Sequence, residues 1–258
     1  MNLQKKIQSA IDFLKLAKNP RIGLKNSILL HKKLLSQGQG VCLHPTEWYN
    51  NLFLRPHNTD YEVFNQIFRF TSYGAIESMG EIKTVIDAGA NIGLSSVYFS
   101  KRLNSPEIVA LEPEEKNYAQ AVKNTANLPR VSLLKKALWS NTGKGSIMNP
   151  ESTSWDFQIV QDDDGPIECI TVSEILALKK WQTVDLFKID IEGAEREIFE
   201  SPEHMQWLNK VRIFAIELHD NMVPGCSLAF FRAIARLESI EVLFSGENLV
   251  VINKALLK

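Results

Sequence analysis

The 258-residue chain has little cysteine and no long hydrophobic run. Its cysteines are odd in number and have no CxxC spacing, which indicates unpaired, buried thiols in a reducing cytosol. They are Cys42, Cys169 and Cys226. No segment approaches the ~20 consecutive apolar residues that cross a bilayer, so we expect no membrane-spanning helix.

The chain also lacks an excess of either charge. Its 29 basic and 30 acidic residues give a formal net charge of −1, so the overall charge predicts neither nucleic acid nor an anionic membrane as a partner. Asp12, Lys15 and Lys18 interrupt the apolar residues of the N-terminal stretch, which therefore does not resemble a secretory signal. Together these absences predict a soluble, cytoplasmic protein.

The predicted secondary-structure pattern of the sequence changes near residue 80. Residues 1 to about 36 carry apolar side chains at three- and four-residue steps, with lysines on the other face, as amphipathic helices do. Residues 45–75 add several aromatic side chains and a further helical pattern. We therefore predict a helical N-terminal extension over residues 1–80 and a globular core over residues 81–258.

Within the core, strand patterns alternate with helix patterns, which predicts a doubly wound α/β domain with a mostly parallel, seven-stranded sheet. The last two strands are joined only by "SGEN", so we expect an antiparallel C-terminal edge. The irregular stretch 138–171 is expected to hold a small hairpin and a mobile loop. The predicted strands are 84–88, 107–111, 131–135, 185–190, 211–217, 240–244 and 248–252, and the predicted helices are 93–103, 114–126, 172–180, 194–200 and 226–237.

A glycine-containing turn joins the first predicted strand to the first predicted helix, in "TVIDAGANIGLSS" (84–96). Gly89 and Gly93 are four residues apart, whereas the dinucleotide fingerprint is GxGxxG with a third glycine. Glycines allow another group to approach the backbone closely, and the helix N-terminus offers free N–H groups. The preceding Asp87 would repel a pyrophosphate and suits a cationic ligand such as S-adenosylmethionine.

A second acidic residue, Glu112, ends the next strand, in the position where a carboxylate accepts hydrogen bonds from both ribose hydroxyls. Ligands of open α/β sheets bind beyond the carboxyl ends of the strands, where the strand order reverses. An acid, a glycine pair and a second acid on consecutive strands favour S-adenosylmethionine. A nicotinamide dinucleotide is the alternative.

Three blocks of the sequence resemble the FkbM family of S-adenosylmethionine-dependent methyltransferases: "VIDAGANIGLSS", "VALEPEEKNYAQAVKN" and "FKIDIEGAEREIFE". The segment "FLRPHNTDYEVFNQIF" is similar to the one that such proteins carry ahead of the core, and the resemblance spans roughly residues 52–220. It implies a class I methyltransferase fold and methyl transfer, usually to a hydroxyl oxygen of acceptors that include macrolides and sugars. It also implies cofactor contacts, at Asp87, Gly89, Asn91, Gly93 and Glu112, with Leu138 and Trp139 bordering the adenine.

A second charged block, "FKIDIEGAE", alternates charged and apolar residues. Lys188 and Asp190 are two apart, so in a strand they project to the same side. An unpaired buried lysine is costly, so we expect Lys188 to have an acidic partner, either Asp87 or Glu217. Glu217 and His219 share a face at the end of the following strand and are expected to lie beside Asp190.

Two mechanisms follow from this charged cluster. In one, His219 or Asp190 is a general base that takes the proton of an acceptor hydroxyl. In the other, Asp190, Glu217 and His219 hold a divalent metal that lowers the pKa of that hydroxyl. The sequence favours the metal-free base, because a metal cage usually needs more carboxylates than the pattern assigns.

Three functions are compatible with these features. The first is an O-methyltransferase that acts on a small-molecule, sugar or glycan acceptor. The second is a nicotinamide-dependent oxidoreductase, which the glycine spacing and Asp87 disfavour. The third is a non-catalytic S-adenosylmethionine-binding protein, which would need Glu112 but none of Asp190, Glu217 or His219.

Overall fold

The structure is a computed structural model that describes residues 41–43, 51–55, 58–148 and 157–257, with the backbone only for Val41 and Leu43. The amphipathic helices predicted within residues 1–36 lie outside these ranges. The first described elements are two short antiparallel strands, β1 (Val41–Leu43) and β2 (Leu52–Leu54). The extension predicted as helical therefore also contains strands in this part of the chain.

Most of the described residues form the predicted alternation of strands and helices. The helices are α1 (Asp60–Phe64), α2 (Leu94–Arg102), α3 (Glu115–Thr125), α4 (Val172–Lys179), α5 (Glu195–Glu200) and α6 (Cys226–Ile234). Residues 65–69 continue α1 as a π-helix, and 3₁₀ turns cover residues 74–78, 202–206, 208–210 and 254–256. The remaining strands are β3 (Thr84–Ala88), β4 (Glu107–Leu111), β5 (Val131–Leu134), β6 (Ala137–Leu138), β7 (Gly143–Ile147), β8 (Ile159–Gln161), β9 (Ile167–Ile170), β10 (Val184–Ile189), β11 (Val211–Ile216), β12 (Ile240–Ser245) and β13 (Asn248–Asn253).

Seven strands form the main sheet, in the order β12-β13-β11-β10-β3-β4-β5. The chain runs outward from β3 through β4 to β5 and then returns to β10 on the other side of β3, so the strand order reverses between β3 and β10. Both are parallel to their neighbours in the sheet and buried on both faces. This confirms the predicted doubly wound fold and locates its topological switch point, where such sheets bind ligands.

The predicted antiparallel C-terminal edge is confirmed, because the last two strands, β12 and β13, pair as an antiparallel hairpin at one edge of the sheet. The only antiparallel strand of the seven is β13, which pairs with β11 on one side and β12 on the other. Because β13 lies one place inside the sheet, the edge strand is β12, which runs parallel to β11. The hairpin therefore brings its turn, with Glu247, to the carboxyl ends of the parallel strands.

The irregular stretch after β5 forms a second, four-stranded sheet in the order β6-β9-β7-β8. Strands β7 and β8 make the small hairpin that the sequence predicted. The predicted mobile loop falls largely on residues 149–156, outside the described residues. A capping box, in which Thr171 and Glu174 bond each other's backbone N–H, begins α4 directly after β9.

The two faces of the main sheet bury separate apolar layers. One layer joins α2 to the segment 52–82, and the other joins α4, α5 and α6 to Trp207. The described residues upstream of the predicted boundary thus pack on the core, and the division into 1–80 and 81–258 stays a prediction. Among the described residues, no helix has the length and apolar content that crossing a membrane requires.

Candidate active site

A cavity of about 430 Å³ opens at the switch point, at the carboxyl ends of β3, β4, β10 and β11. Its walls come from the turn after β3, the small sheet, the β12–β13 hairpin and the segment 63–73. The predicted site residues that line it are Gly89, Asn91, Glu112, Leu138, Lys188, Asp190, Glu217 and His219. The fold therefore brings most of the predicted site residues together around one cavity.

The turn after β3 is fixed by backbone geometry. Gly89 has φ +75°, and a Cβ at this position would lie 1.7 Å from the carbonyl oxygen of Asp190. Asn91 also adopts a positive φ, of 50°. Glycine is thus required at residue 89 because β10 ends against it.

Glu112 is 5% exposed and joins the ends of β4 and β3. One carboxylate oxygen accepts the N–H of Asn91 at 2.8 Å, and the other accepts the N–H of Glu114 at 2.9 Å. Burial raises the pKa of Glu112 to about 7, although these two hydrogen bonds and Lys188 act against the shift. Each oxygen keeps a further lone pair that can accept a hydrogen bond from a ligand.

Asp87, Gly93 and Trp139 are not among the residues that line the cavity, and their predicted roles, as cofactor contacts for Asp87 and Gly93 and as a border of the adenine for Trp139, stay predictions. Asp87 is fully buried and accepts hydrogen bonds from the hydroxyls of Ser95 and Ser96 at 2.7 and 2.6 Å. Gly93, with φ +81°, begins α2 and packs against α3. Trp139 is buried in a small apolar cluster beneath β6 and β9. These three residues support the wall rather than form its surface.

Lys188 connects the turn to β10, and its predicted partner, Asp87, is confirmed. The residue is 1% exposed, and its ammonium group lies 3.5 Å from Asp87 and 3.4 Å from Asp190. It also donates to the carbonyl oxygens of Ala88 and Gly89, at 3.1 and 2.7 Å. Burial alone would lower the pKa of Lys188, but neighbouring negative charge, first that of Asp190, raises it. Lys188 is therefore a fixed cation and not a base.

His219, which is 6% exposed, lies at the centre of a carboxylate cluster. Its Nδ1 is 2.9 Å from the fully buried Glu195, and its Nε2 faces the cavity carboxylates. Nε2 is 3.3 Å from Glu192, 3.7 Å from Asp190 and 3.8 Å from Glu217. The predicted proximity of Asp190, Glu217 and His219 is thus confirmed. Glu192, from the turn after β10, and Glu195, the first residue of α5, complete the cluster.

The pKa values of Glu192, Glu217 and His219 move towards the protonated form. Burial, followed by the charge of Asp190, raises the pKa of Glu192 to about 9 and that of Glu217 to about 7. Burial alone would lower the pKa of His219, but the hydrogen bond and charge of Glu195, with the charges of Glu192 and Asp190, raise it to about 10. The cluster holds more negative charge than its surroundings neutralise, and His219 can act as a general base only after its ring has lost a proton.

The far side of the cavity contains residues that the sequence did not single out. Tyr73 is 95% buried and packs its ring 4.8 Å from that of Phe99, and burial raises the pKa of its hydroxyl. Gln66 and Glu247, from segments 181 residues apart, are joined by a 2.8 Å hydrogen bond. Sequence spacing carries no signal for this wall, because its members meet only through tertiary packing. The others on this side include Val63, Ile67, Ser72 and Asn248.

Comparisons with known proteins agree with this architecture. The family model described as "Methyltransferase FkbM domain" matches residues 87–239, which is more than half of the chain. Methyltransferase sdnD of Sordaria araneosa is 24% identical over 181 residues, which cover 56% of this chain and 70% of sdnD.

Two solved structures are similar to this chain at lower sequence identity. Methyltransferase FkbM from Methylobacillus flagellatus KT is 14% identical, with a TM-score of 0.47, over 66% of this chain. The matched part is 43% of that protein, so this chain spans less than half of its length. A putative caffeoyl-CoA O-methyltransferase from Staphylococcus aureus is 11% identical, with a TM-score of 0.42, over 74% of this chain and 80% of that one. On the family match, with the doubly wound sheet and the cavity at its switch point, the chain belongs to the FkbM family of methyltransferases.

Proposed function

We propose that this protein is an S-adenosylmethionine-dependent O-methyltransferase that acts on a hydroxyl of a small molecule, sugar or glycan. The observation that carries the proposal is Glu112, a buried carboxylate at the end of β4 that lines the cavity beside the turn after β3. The lining also contains Asp190, Glu192, Glu217 and Glu247, against the cations Lys136 and Lys188. An excess of carboxylates favours a cationic nucleoside over a pyrophosphate.

The residues of the cavity are chemically suited to that cofactor. The volume of about 430 Å³ is within the range of small-molecule sites, roughly 300–1,000 Å³. The side-chain oxygen of Asn91 is buried without a hydrogen-bond partner among the described residues, so this turn retains an unused acceptor. Glu112 and Asn91 would bind the ribose, and Leu138 would pack on the adenine. The cofactor supplies an electrophilic methyl group carried on a sulfonium.

The remaining residues of the cavity would bind and orient the acceptor. Asp190, Glu217 and His219 lie at the ends of β10 and β11, next to the turn that would hold the cofactor. Their oxygen and nitrogen atoms can accept a hydrogen bond from an acceptor hydroxyl and hold its proton as oxygen attacks the methyl carbon. Orientation alone can lower the barrier by ~7–11 kcal/mol in well-aligned reactions, so these residues need not carry all of the rate enhancement.

Replacing Glu112 by glutamine should weaken S-adenosylhomocysteine binding about tenfold to a hundredfold, measured by isothermal titration calorimetry. The reason is the loss of charge-assisted hydrogen bonds to the ribose, which contribute ~1.5–3 kcal/mol each. The matched control is Glu247→Gln, a carboxylate on the opposite wall, for which we expect unchanged affinity. Binding of NADH in place of adenosyl compounds would contradict the proposal, as would unchanged affinity in Glu112→Gln. Release of S-adenosylhomocysteine with hydroxylated acceptors separates an enzyme from a non-catalytic binder.

The affinity should also depend on pH through Glu112. Its pKa of about 7 in the folded protein lies above its ordinary 4.5, so its protonation favours the folded state. That contribution is complete below pH 4.5 and is lost as the pH rises through 7. The pH dependence of ligand binding has the opposite sign to that of stability. Affinity rises with pH, because the ribose hydroxyls donate hydrogen bonds to the ionised carboxylate.

We therefore expect the affinity for 5′-methylthioadenosine, which has no amino-acid portion, to rise roughly tenfold per pH unit below 7 and to level off above it. Calorimetry between pH 6 and 8 measures this profile. The charges of Glu114 and Lys188 also affect the pKa of Glu112. Both residues are retained in Glu112→Gln, and we expect the affinity of this variant to show no such rise with pH. A rise of the same steepness in Glu112→Gln would assign it to another group.

A further inference from the structure

The imidazole of His219 is held in one orientation by a fully buried carboxylate. Glu195 accepts the N–H groups of Ile191 at 3.0 Å and Gly193 at 2.8 Å, and the Nδ1 of His219 lies 2.9 Å from the oxygen that bonds Ile191. An ionised carboxylate only accepts hydrogen bonds, so Nδ1 donates. The ring nitrogen that faces the cavity is therefore Nε2, with its lone pair free when the ring is neutral.

Three carboxylates converge on Nε2. Glu192, Asp190 and Glu217 lie 3.3 to 3.8 Å from this nitrogen. This concentration of negative charge around one buried nitrogen needs a cation, which the imidazolium supplies while the ring is protonated and which a bound divalent cation would supply in its place. The nearest fixed cation, Lys188, contacts Asp190 and is shared with Asp87.

We propose that Asp190, Glu192 and His219 form a binding site for a divalent cation. Each offers one ligand atom, and the three atoms lie within 4.8 Å of one another. Ligand atoms bound to one cation at about 2.0–2.6 Å can be at most ~4–5 Å apart, so the spacing fits a shared ion. Of the carboxylates assigned to a metal from the sequence, Asp190 remains in this group and Glu192 replaces Glu217, which borders the site.

The arrangement of Glu195 matches the surroundings of metal-binding histidines. Such histidines usually donate their second ring N–H to a carboxylate or a carbonyl, which fixes the tautomer and makes the ligating nitrogen more basic. Two carboxylates and one imidazole leave positions on the ion for water or an acceptor hydroxyl. Carboxylate-rich sites suit Mg²⁺ and Mn²⁺, so we choose Mn²⁺ as the probe.

The catalytic role of this cation rests on the proposed function, whereas the existence of the cation site does not depend on that function. All the proposed ligands line the cavity, so a cation there would contact an acceptor hydroxyl and stabilise its deprotonated form. Glu217, 3.8 Å from Nε2, would remain available as the proton acceptor. The cation would position the acceptor, and the cofactor side of the cavity would be unchanged.

The test is a titration of the EDTA-treated full-length protein with Mn²⁺, followed by the loss of the electron paramagnetic resonance signal of free Mn²⁺. We expect saturable binding of one ion per chain, with electron spin-echo modulation from a directly bound nitrogen. Glu192→Gln and His219→Gln should each weaken binding at least tenfold. Glu247→Gln, which removes a carboxylate from the same cavity outside the ligand group, should change it less than threefold.

Folding is checked by S-adenosylhomocysteine binding, which both ligand variants should retain. Absence of saturable Mn²⁺ binding or of nitrogen modulation in the wild type would overturn the inference without any variant. So would equal binding by wild type, Glu192→Gln and His219→Gln. In each case cofactor binding is measured separately, so loss of the metal site leaves the proposed function standing, whereas failure of the wild type to bind adenosyl compounds overturns that function alone.

Discussion

Replacing Lys188 by methionine is expected to lower the free energy of unfolding by about 3–5 kcal/mol, the usual cost of leaving one partner of a buried ion pair behind. Asp87 would keep its bonds to Ser95 and Ser96 but lose its cation in a fully buried position. The carbonyl oxygens of Ala88 and Gly89 would also lose a donor. Urea-induced unfolding, followed by circular dichroism, measures the effect.

The matched control is Lys254→Met. Lys254 forms an ion pair of 3.5 Å with Glu241, but its side chain is 46% exposed, so we expect a change of no more than about 1 kcal/mol. Asp87→Asn combined with Lys188→Met should cost less than the sum of the single changes, because the residues share one interaction. Equal losses for the two lysines, or simple additivity with Asp87, would show that Lys188 does not neutralise Asp87.

Gly89→Ala should have the largest effect of any single methyl group added in the cavity wall. Its Cβ would lie 1.7 Å from the carbonyl oxygen of Asp190 and 2.9 Å from the carbonyl carbon, and both are backbone atoms that no rotamer change can move. The turn and the end of β10 must separate, so we expect a loss of at least ~3 kcal/mol in stability, in the range of severe mutations. Cofactor affinity should fall at least tenfold, measured by calorimetry.

The structure offers a control with almost the same backbone strain. Gly80 has φ +79°, close to the +75° of Gly89, but the nearest atom to its Cβ would be an Arg212 side-chain nitrogen at 3.9 Å. Gly80→Ala therefore carries the cost of a positive φ, ~1–2 kcal/mol, without the collision. If both variants lose the same stability, the contact between Gly89 and Asp190 is not what requires glycine at residue 89.

Much of the fold follows from local sequence. The core strands alternate with helix patterns, and their observed ends differ from the predicted ones by one residue or less. The partner of Lys188 was predictable to within two residues, Asp87 and Glu217, because a lysine in a buried strand needs a carboxylate and these two lie on or directly after the neighbouring strands. Glu112 was predictable for a similar reason, since consecutive parallel strands end at the same edge of the sheet.

The direction of individual side chains was less predictable. Asp87 was expected to face a ligand, but Ser95 and Ser96 on α2 turn back to bond it, and its charge is buried. Trp139 follows Leu138 directly, yet Leu138 lines the cavity whereas Trp139 is buried in the apolar cluster beside β9. The individual residues of the far wall were less predictable, because Tyr73 and Asn248 line one cavity only after the sheet has formed.

The insertion of β13 between β11 and β12 has a consequence for synthesis on the ribosome. A nascent chain that ends before Asn248 contains β12 but not the strand that joins it to the sheet, and the edge of β11 has no partner. Strands β3, β4 and β10 are translated earlier, together with the residues that directly follow them, Gly89, Glu112 and Asp190. The half of the cavity around Glu112 can therefore assemble while translation continues, whereas the half around Glu247 and Asn248 is completed only when residues 248–253 emerge.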